Sequence, residues 1–228
     1  MPQVYTVDLF GLECAPPEWL SVLDDGERTR AGRFVCARDR LAFVAAHALK
    51  RLVLAQAFPG RSPAALRFGA DSFGKPFLAG PAALQFNLSH TTGLTALAVS
   101  SRSLGIDVET RDSSVHFRDA APSVLSAAEC VALARAVDWD DAFLALWTAK
   151  EAVLKAEGKG LYLPLSEIEV REDRARGPSR LWTLWRSRPT PRHALTLAWD
   201  GQDDVVENHC LCGEDLTAWV SNPQAKCA

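Results

Sequence analysis

Several kinds of feature are missing from this chain, and each absence removes a class of explanation. No apolar run approaches the roughly 20 residues of a membrane-spanning helix, and no charged-then-apolar leader opens the sequence. A soluble, cytoplasmic protein that does not enter membranes is therefore expected. Positive charge is not in excess: 25 Lys and Arg stand against 28 Asp and Glu, for a net charge of −3 and a pI near 6.0. That balance argues against a general nucleic-acid binder. Cys14, Cys36, Cys130, Cys210, Cys212 and Cys227 are scattered without a disulfide framework. His209-Cys210-Leu211-Cys212 lacks a second Cys or His pair at zinc spacing, so reduced structural thiols are expected. A second cluster of Asp and His is also missing, which disfavours a two-metal phosphohydrolase.

The 228 residues, 48% hydrophobic and 23% charged, are ordinary for a globular protein and can bury a full core as one domain or two small ones. Against that background, Leu104-Gly105-Ile106-Asp107-Val108-Glu109 puts two carboxylates into an apolar run. Strand side chains alternate, so Asp107 and Glu109 share one face while Ile106 and Val108 enter a core. Two like charges on one face of such a strand repel unless a cation lies between them. Asp-x-Glu also occurs at Asp25/Glu27, so the pattern alone carries little weight. A second segment, Leu146-Trp147-Thr148-Ala149-Lys150-Glu151-Ala152-Val153-Leu154-Lys155, reads as an amphipathic helix. Glu151 and Lys155 lie four residues apart on one stripe, with Trp147 one turn earlier and expected in the core. In isolation the pair would be a surface ion pair contributing about 0.3–0.5 kcal/mol. Together, two strand acids and one helix acid make an oxygen-only site suited to Mg²⁺ or Mn²⁺.

The rest of the chain divides into elements. Residues 3–10 alternate as a strand, and Asp39 is placed to cap a long helix that ends before Pro59-Gly60. Residues 66–68 and 75–78 read as extended around a turn at 69–71. Residues 84–88, 94–100 and 104–109 read as three strands of an antiparallel meander. A polar loop covers 110–123, followed by a capping box at Ser126-Ala127-Ala128-Glu129 opening a helix to about residue 137. A longer helix runs from near 140 to 157 and stops at Gly158-Lys159-Gly160. Strands are expected at 168–171, 181–186 and 194–199, and loops at 174–179 and 187–192. Past residue 201 the signal fades and a partly mobile tail is expected. The order strand, long helix, strands occurs twice without a sequence repeat, so the expected fold is α+β with halves 1–104 and 105–228. Arg28, Arg30, Arg33, Arg38 and Arg40 form a candidate anion platform, although a solvated helix face suffices for at least half of them.

Two further segments complete a pattern: the turn Gly74-Lys75-Pro76, after Phe73, and the strand end Asn87-Leu88-Ser89-His90. With Gly105 to Glu109, Trp147 to Lys155 and Gly158-Lys159-Gly160-Leu161, the chain resembles the 4′-phosphopantetheinyl transferases of the surfactin-synthetase-activating type. The resemblance covers nearly the whole chain. It implies two similar halves related by a pseudo-twofold, a monomer, and coenzyme A with Mg²⁺ bound between the halves. The implied reaction moves phosphopantetheine from coenzyme A to a serine of an acyl or peptidyl carrier protein, releasing 3′,5′-ADP, in fatty-acid, polyketide or nonribosomal peptide biosynthesis. By this resemblance Asp107, Glu109 and Glu151 hold the metal, Glu151 also accepts the serine proton, and Lys155 holds a phosphate oxygen. Ser89 and His90 are implied at the nucleotide phosphates, Lys75 beside the adenine and 3′-phosphate, and Arg30 at the 3′-phosphate. His47 falls where relatives carry another basic residue. The loop 110–123, with His116 and Phe117, is implied as the carrier-protein contact. An idle homologue that binds coenzyme A or a carrier without turnover is the alternative.

Overall fold

Alternating and near-continuous apolar strands demand burial on one or two faces, and the chain satisfies both demands with two sheets each covered by one long helix. A computed structural model describes residues 1–80, 84–111, 117–201 and 205–224. In chain order these form β1 (Gln3–Asp8), α1 (Asp25–Ala31), α2 (Ala37–Ala55), β2 (Phe68–Ala70), β3 (Pro76–Leu78), β4 (Gln85–Thr91), β5 (Leu94–Ser100) and β6 (Leu104–Thr110). There follow α3 (Phe117–Val124), α4 (Ala127–Leu133), α5 (Trp139–Glu157), β7 (Glu169–Arg171), β8 (Arg174–Arg176), β9 (Leu181–Ser187), β10 (His193–Trp199), β11 (Glu207–Cys212) and α6 (Gly213–Ser221). This is the expected α+β class. No helix among the described residues is long and apolar enough to cross a membrane.

One large sheet has the order β11-β1-β5-β4, the second β6-β10-β9-β8-β7, and β2 and β3 pair as a separate two-stranded ribbon. The inner strands β5 and β10 are buried at every position, as their apolar runs require. Tyr5, Val7, Leu97 and Val99 pack under α2, whereas Val4, Ala96 and Ala98 on the opposite face meet Ile106, Val108, Leu195 and Leu197. On the far side, Ala149, Ala152 and Val153 of α5 cover Trp182, Leu184 and Ala198. The layers therefore run helix, sheet, sheet, helix.

Three expectations are corrected. The meander ends after β5, because β6 leaves that sheet and pairs antiparallel with β10, with Asp107 opposite Thr196. Residues expected as the loop 174–179 include β8, which pairs with β7 and β9. Beyond residue 201, where no element was expected, β11 runs parallel to β1 and α6 packs Leu216 and Trp219 into the core under α2. Sheet membership therefore does not follow a division of the chain at 104/105. Smaller differences concern helix starts and the polar loop. Cys36 rather than Asp39 is the N-cap of α2 and offers no side-chain bond. α3 begins within the expected loop, whose residues 112–116, including His116, lie outside the described residues, as does the side chain of Phe117. The Ser126/Glu129 capping box forms as expected. The five described cysteines are free, and His209 stacks its ring on Tyr5 with centroids 4.5 Å apart.

α5 approaches β6 unusually closely, and Gly105 is the reason it can. A Cβ at that position would stand 2.1 Å from the Ala152 carbonyl oxygen and 2.4 Å from the Ala156 nitrogen, both backbone atoms that no side-chain rotation can move. Gly105→Ala is therefore expected to lower stability by ~3 kcal/mol, the upper part of the usual range for overpacking. Urea unfolding checks this, with an unchanged midpoint counting against the close contact.

Candidate active site

The two sheets meet at β4 and β6, which lie side by side without a backbone ladder. Side chains fill the gap. Asn87 Oδ1 accepts the Ile106 N–H at 2.8 Å, and Ser89 Oγ accepts the Val108 N–H at 3.3 Å. The β6 edge would otherwise carry unmet buried donors. Sequence reading gave Asn87 no such role, although an asparagine inside a buried strand is itself a signal, since Asn is a poor strand former.

Asp107 sits at this seam, 3% exposed. Its Oδ1 accepts the Lys155 ammonium at 2.6 Å and the Ser89 hydroxyl at 3.0 Å. Lys155 also donates to Ser89 Oγ at 3.0 Å. The single donor and both lone pairs of Ser89 are thus used within the protein. Glu109, one pleat along, accepts the Thr91 hydroxyl at 3.3 Å. Glu151 lines a cavity of about 290 Å³ whose other walls include Lys155, Asn87, Leu154 and the Phe73-Gly74-Lys75-Pro76 turn. The structure therefore brings Asp107, Glu109, Glu151, Lys155, Ser89 and Lys75 to one seam.

The acids bear the electrostatic consequence. Burial, followed by the charge of Asp107, pushes Glu109 up to about 7. Burial and the same Asp107 charge also raise Glu151, against the pull of Lys155. Among the described residues no three acidic, His or Cys groups are gathered around one point, and Lys155 instead neutralises Asp107. Yet Asp107 Oδ2 is buried without a hydrogen-bond partner. A buried carboxylate oxygen left unpaired is costly. With only oxygen donors nearby, the residues fit a hard divalent cation, which would satisfy that atom and relieve the repulsion.

The basic residues divide. His90 is exposed at the end of β4, and desolvation of its ring, then the charge of Lys155, lowers its pKa. Asp39, in the opposite sense, and then Arg30 on α1 also act on His90 electrostatically, so Arg30 lies within reach of the His90 ring. Arg30 lays its guanidinium 5.3 Å from the Phe43 ring centre. Arg28 is spent on the carbonyls of Leu20 and Leu23 and on Asp25. Lys75 directs its ammonium to the carbonyls of Leu104 at 3.1 Å and Ala156 at 3.2 Å, tying the turn to the end of α5. Trp147 packs beside Phe143 in a small aromatic cluster.

The second Asp-x-Glu, set aside in the sequence, has a structural role. Glu27 binds His47 and Lys50, each at 2.7 Å, and also Arg51, which pairs with Asp24 as well. These partners hold its carboxyl far below the usual range despite burial. His47 is thus committed to an ion network that fastens α1 to α2.

Comparison with known proteins places this geometry in a family. Residues 103–211 match the 4′-phosphopantetheinyl transferase superfamily, and residues 16–102 match the N-terminal part of a 4′-phosphopantetheinyl transferase. A 4′-phosphopantetheinyl transferase of Bacillus subtilis is 34% identical over 147 residues, 64% of each chain. HetI, a 4′-phosphopantetheinyl transferase of Nostoc, is 33% identical over 156 residues, 66% of this chain and 65% of HetI. Sfp, the 4′-phosphopantetheinyl transferase of Bacillus subtilis strain 168, is 29% identical over 154 residues, 67% of this chain and 68% of Sfp. The chain spans just under two thirds of the length of the first two relatives. With adjoining models matched from residue 16 to 211 and the acids and Lys155 gathered at the seam between the sheets, the chain belongs to the 4′-phosphopantetheinyl transferase superfamily, in its Sfp-like, two-half type.

Proposed function

We propose that this protein transfers 4′-phosphopantetheine from coenzyme A to a serine hydroxyl of an apo acyl or peptidyl carrier protein, releasing 3′,5′-ADP. One observation carries the reading: a buried, partly unpaired carboxylate, Asp107, is held by Lys155, which with Glu151 lines a cavity closed by the Phe73–Pro76 turn. The carrier serine forms a new P–O bond to the phosphate that bears the pantetheine arm, and the pyrophosphate P–O bond to 3′,5′-ADP breaks. Asp107, Glu109 and Glu151 would hold Mg²⁺, or Mn²⁺ on the same oxygen set. When bound, the ion supplies Lewis-acid neutralisation of pyrophosphate charge. Lys155, already positioned by Asp107 and Ser89, donates to a phosphate oxygen. Glu151 lies on the cavity wall, placed to accept the serine proton. Arg30, His90 and Lys75 supply positive charge or N–H donors toward the nucleotide. The N-terminal half, 1–104, would supply these nucleotide contacts, and the half 105–228 the metal and catalytic groups. A cytoplasmic monomer belongs to the same proposal.

An idle coenzyme A- or carrier-binding homologue is disfavoured because the acids and Lys155 are present and converge. The deciding experiment incubates the protein with coenzyme A, Mg²⁺ and several apo carriers, then weighs each carrier. A phosphopantetheine mass increase is expected, and unchanged masses throughout would refute the activity.

Asp107→Ala should abolish most turnover with the fold intact, and Glu151→Gln should reduce kcat roughly 10²–10⁴-fold, the usual contribution of a positioned base. Lys155→Ala should lose activity that added Mg²⁺ does not restore. Single-turnover assays read all three, and near-normal rates at saturating Mg²⁺ would contradict the assigned roles.

The raised Glu109 gives a pH signature. Between pH 4.5 and about 7 the folded metal-free protein keeps the Glu109 proton that the unfolded chain has lost, so this carboxyl's contribution to stability falls as pH rises through that window. Metal binding needs the ionised form. The rise in Tm on adding Mg²⁺ should therefore be small at pH 5.5 and larger at pH 8. Equal rises at both pH values, or the same pH dependence in Glu109→Gln, would remove Glu109 from the metal site.

A further inference from the structure

In the second large sheet, β10 and β9 lie beyond β6 from the seam. Between these strands and α5 is a second cavity, of about 250 Å³. Ala145 and Thr148 of α5 form one wall, Ala194 and Thr196 of β10 the floor, and Arg186 and Arg188 the side toward the end of β9. The two alanines leave a space between helix and sheet that larger apolar side chains would fill.

The lining is polar and positive for such a place. Thr148 and Thr196 are 0% and 1% exposed, and their hydroxyls lie 3.0 Å apart. One hydroxyl proton serves that bond. The remaining acceptor is the Ala145 carbonyl, 3.4 Å from the Thr148 hydroxyl, which is long for an O–H donor. Arg186 donates to the Glu172 carbonyl, and its other guanidinium N–H groups meet no acceptor among the described residues. Burial lowers the Arg186 pKa, and the charge of Asp173 only partly offsets this. The guanidinium is thus partly desolvated without a carboxylate bonded to it, an arrangement that favours an anion. Arg188 gives one N–H to Asp141 at 2.5 Å and keeps the rest of its fork.

Strand register separates this cavity from the acids at the seam. Arg186 stands opposite Thr196, and Thr196 opposite Asp107, so the three form one cross-strand row on the face under α5. Arg186 and Asp107 are therefore two strand spacings apart, roughly 10 Å, with the Thr148–Thr196 pair between them. Asp107 already has Lys155 as its counter-ion, so Arg186 needs a different one.

We propose that this cavity is a second oxyanion site, separate from the seam, for a small tetrahedral anion of the phosphate class. Arg186 supplies a planar fork of free donors, Arg188 a second positive charge, and the threonine pair a hydroxyl proton turned from the Ala145 carbonyl. The volume is below the roughly 300–1,000 Å³ of sites for larger organic ligands, which suits a small ion. The bound ion would brace α5 against β9. This inference does not depend on the transfer reaction.

Inorganic phosphate is the probe, titrated calorimetrically into the full chain and into Lys155→Ala, which removes the phosphate contact expected at the seam. Binding is expected to persist in Lys155→Ala. Adding Arg186→Gln to Lys155→Ala should weaken it tenfold or more, in line with loss of a charge-assisted hydrogen bond. Ala145→Leu, which fills the cavity, should do the same without removing a charge. Amide resonances of residues 186–188 and 194–196 should shift with phosphate in Lys155→Ala and stay unmoved once Arg186→Gln is added. In phosphate-free buffer, Arg186→Gln alone should leave kcat near that of the parent. Phosphate bound by the parent and lost in Lys155→Ala would assign it to the seam and overturn the proposal. Binding in Lys155→Ala that survives both Arg186→Gln and Ala145→Leu would overturn it too, as would no binding at millimolar phosphate. Arg186 is exposed, so Arg186→Gln decides the matter even if Ala145→Leu does not fold.

Discussion

Everything distinctive in this molecule follows from the way β4 and β6 meet. Two strands that lie side by side would ordinarily exchange backbone hydrogen bonds. Here the amide side chain of Asn87 and the hydroxyl of Ser89 stand in for a backbone partner. The substitution widens the seam by the size of a side chain. That added room lets polar groups collect between two apolar layers without exposing either. Ser89 shows how tightly structure and site are joined there, because one oxygen closes the β6 edge, holds Asp107 and receives Lys155.

The seam also stores an imbalance. Three carboxylates and one nearby lysine cannot all be satisfied in a half-buried space. Glu109 and Glu151 respond by holding protons more strongly than usual, and one oxygen of Asp107 stays unpaired. A protein selected only for stability would replace such groups with apolar ones. Under the proposed function, a cation held by these oxygens would offset that cost by its attraction to them and by the repulsion it removes.

The elements that local pattern specifies were readable in the sequence. Strong periodicity marked α5, the Ser126/Glu129 box and the alternation in β6, and each forms where its side chains direct. The pairing of strands was not readable. The run from β4 to β6 has the spacing of a meander, but the choice of β10 over β5 as partner is made by long-range packing, which no local pattern encodes. β11 was missed for a related reason: its alternation is weak, and its strand character depends on β1. The site acids and Lys155 were legible because charges in apolar runs need an explanation. The Glu27 network was not, since Asp25-Gly26-Glu27 looks like any solvated turn until Lys50 and Arg51 arrive from α2.

β1 is the second residue run of its sheet in space and the first in the chain, and one of its partners is the last strand. Gln3 to Asp8 lie against Glu207 to Cys212 in parallel register. About 200 residues must be closed into a loop before that contact exists, and the entropy of closure comes before any reward. During synthesis the first sheet would thus present an incomplete edge along β1 until β11 is made. The two halves of this fold are consequently not successive folding units. The strand that completes the earlier sheet follows every strand of the later one, so the sheet carrying Ser89 and His90 reaches its final form only after the one carrying Asp107 has been translated.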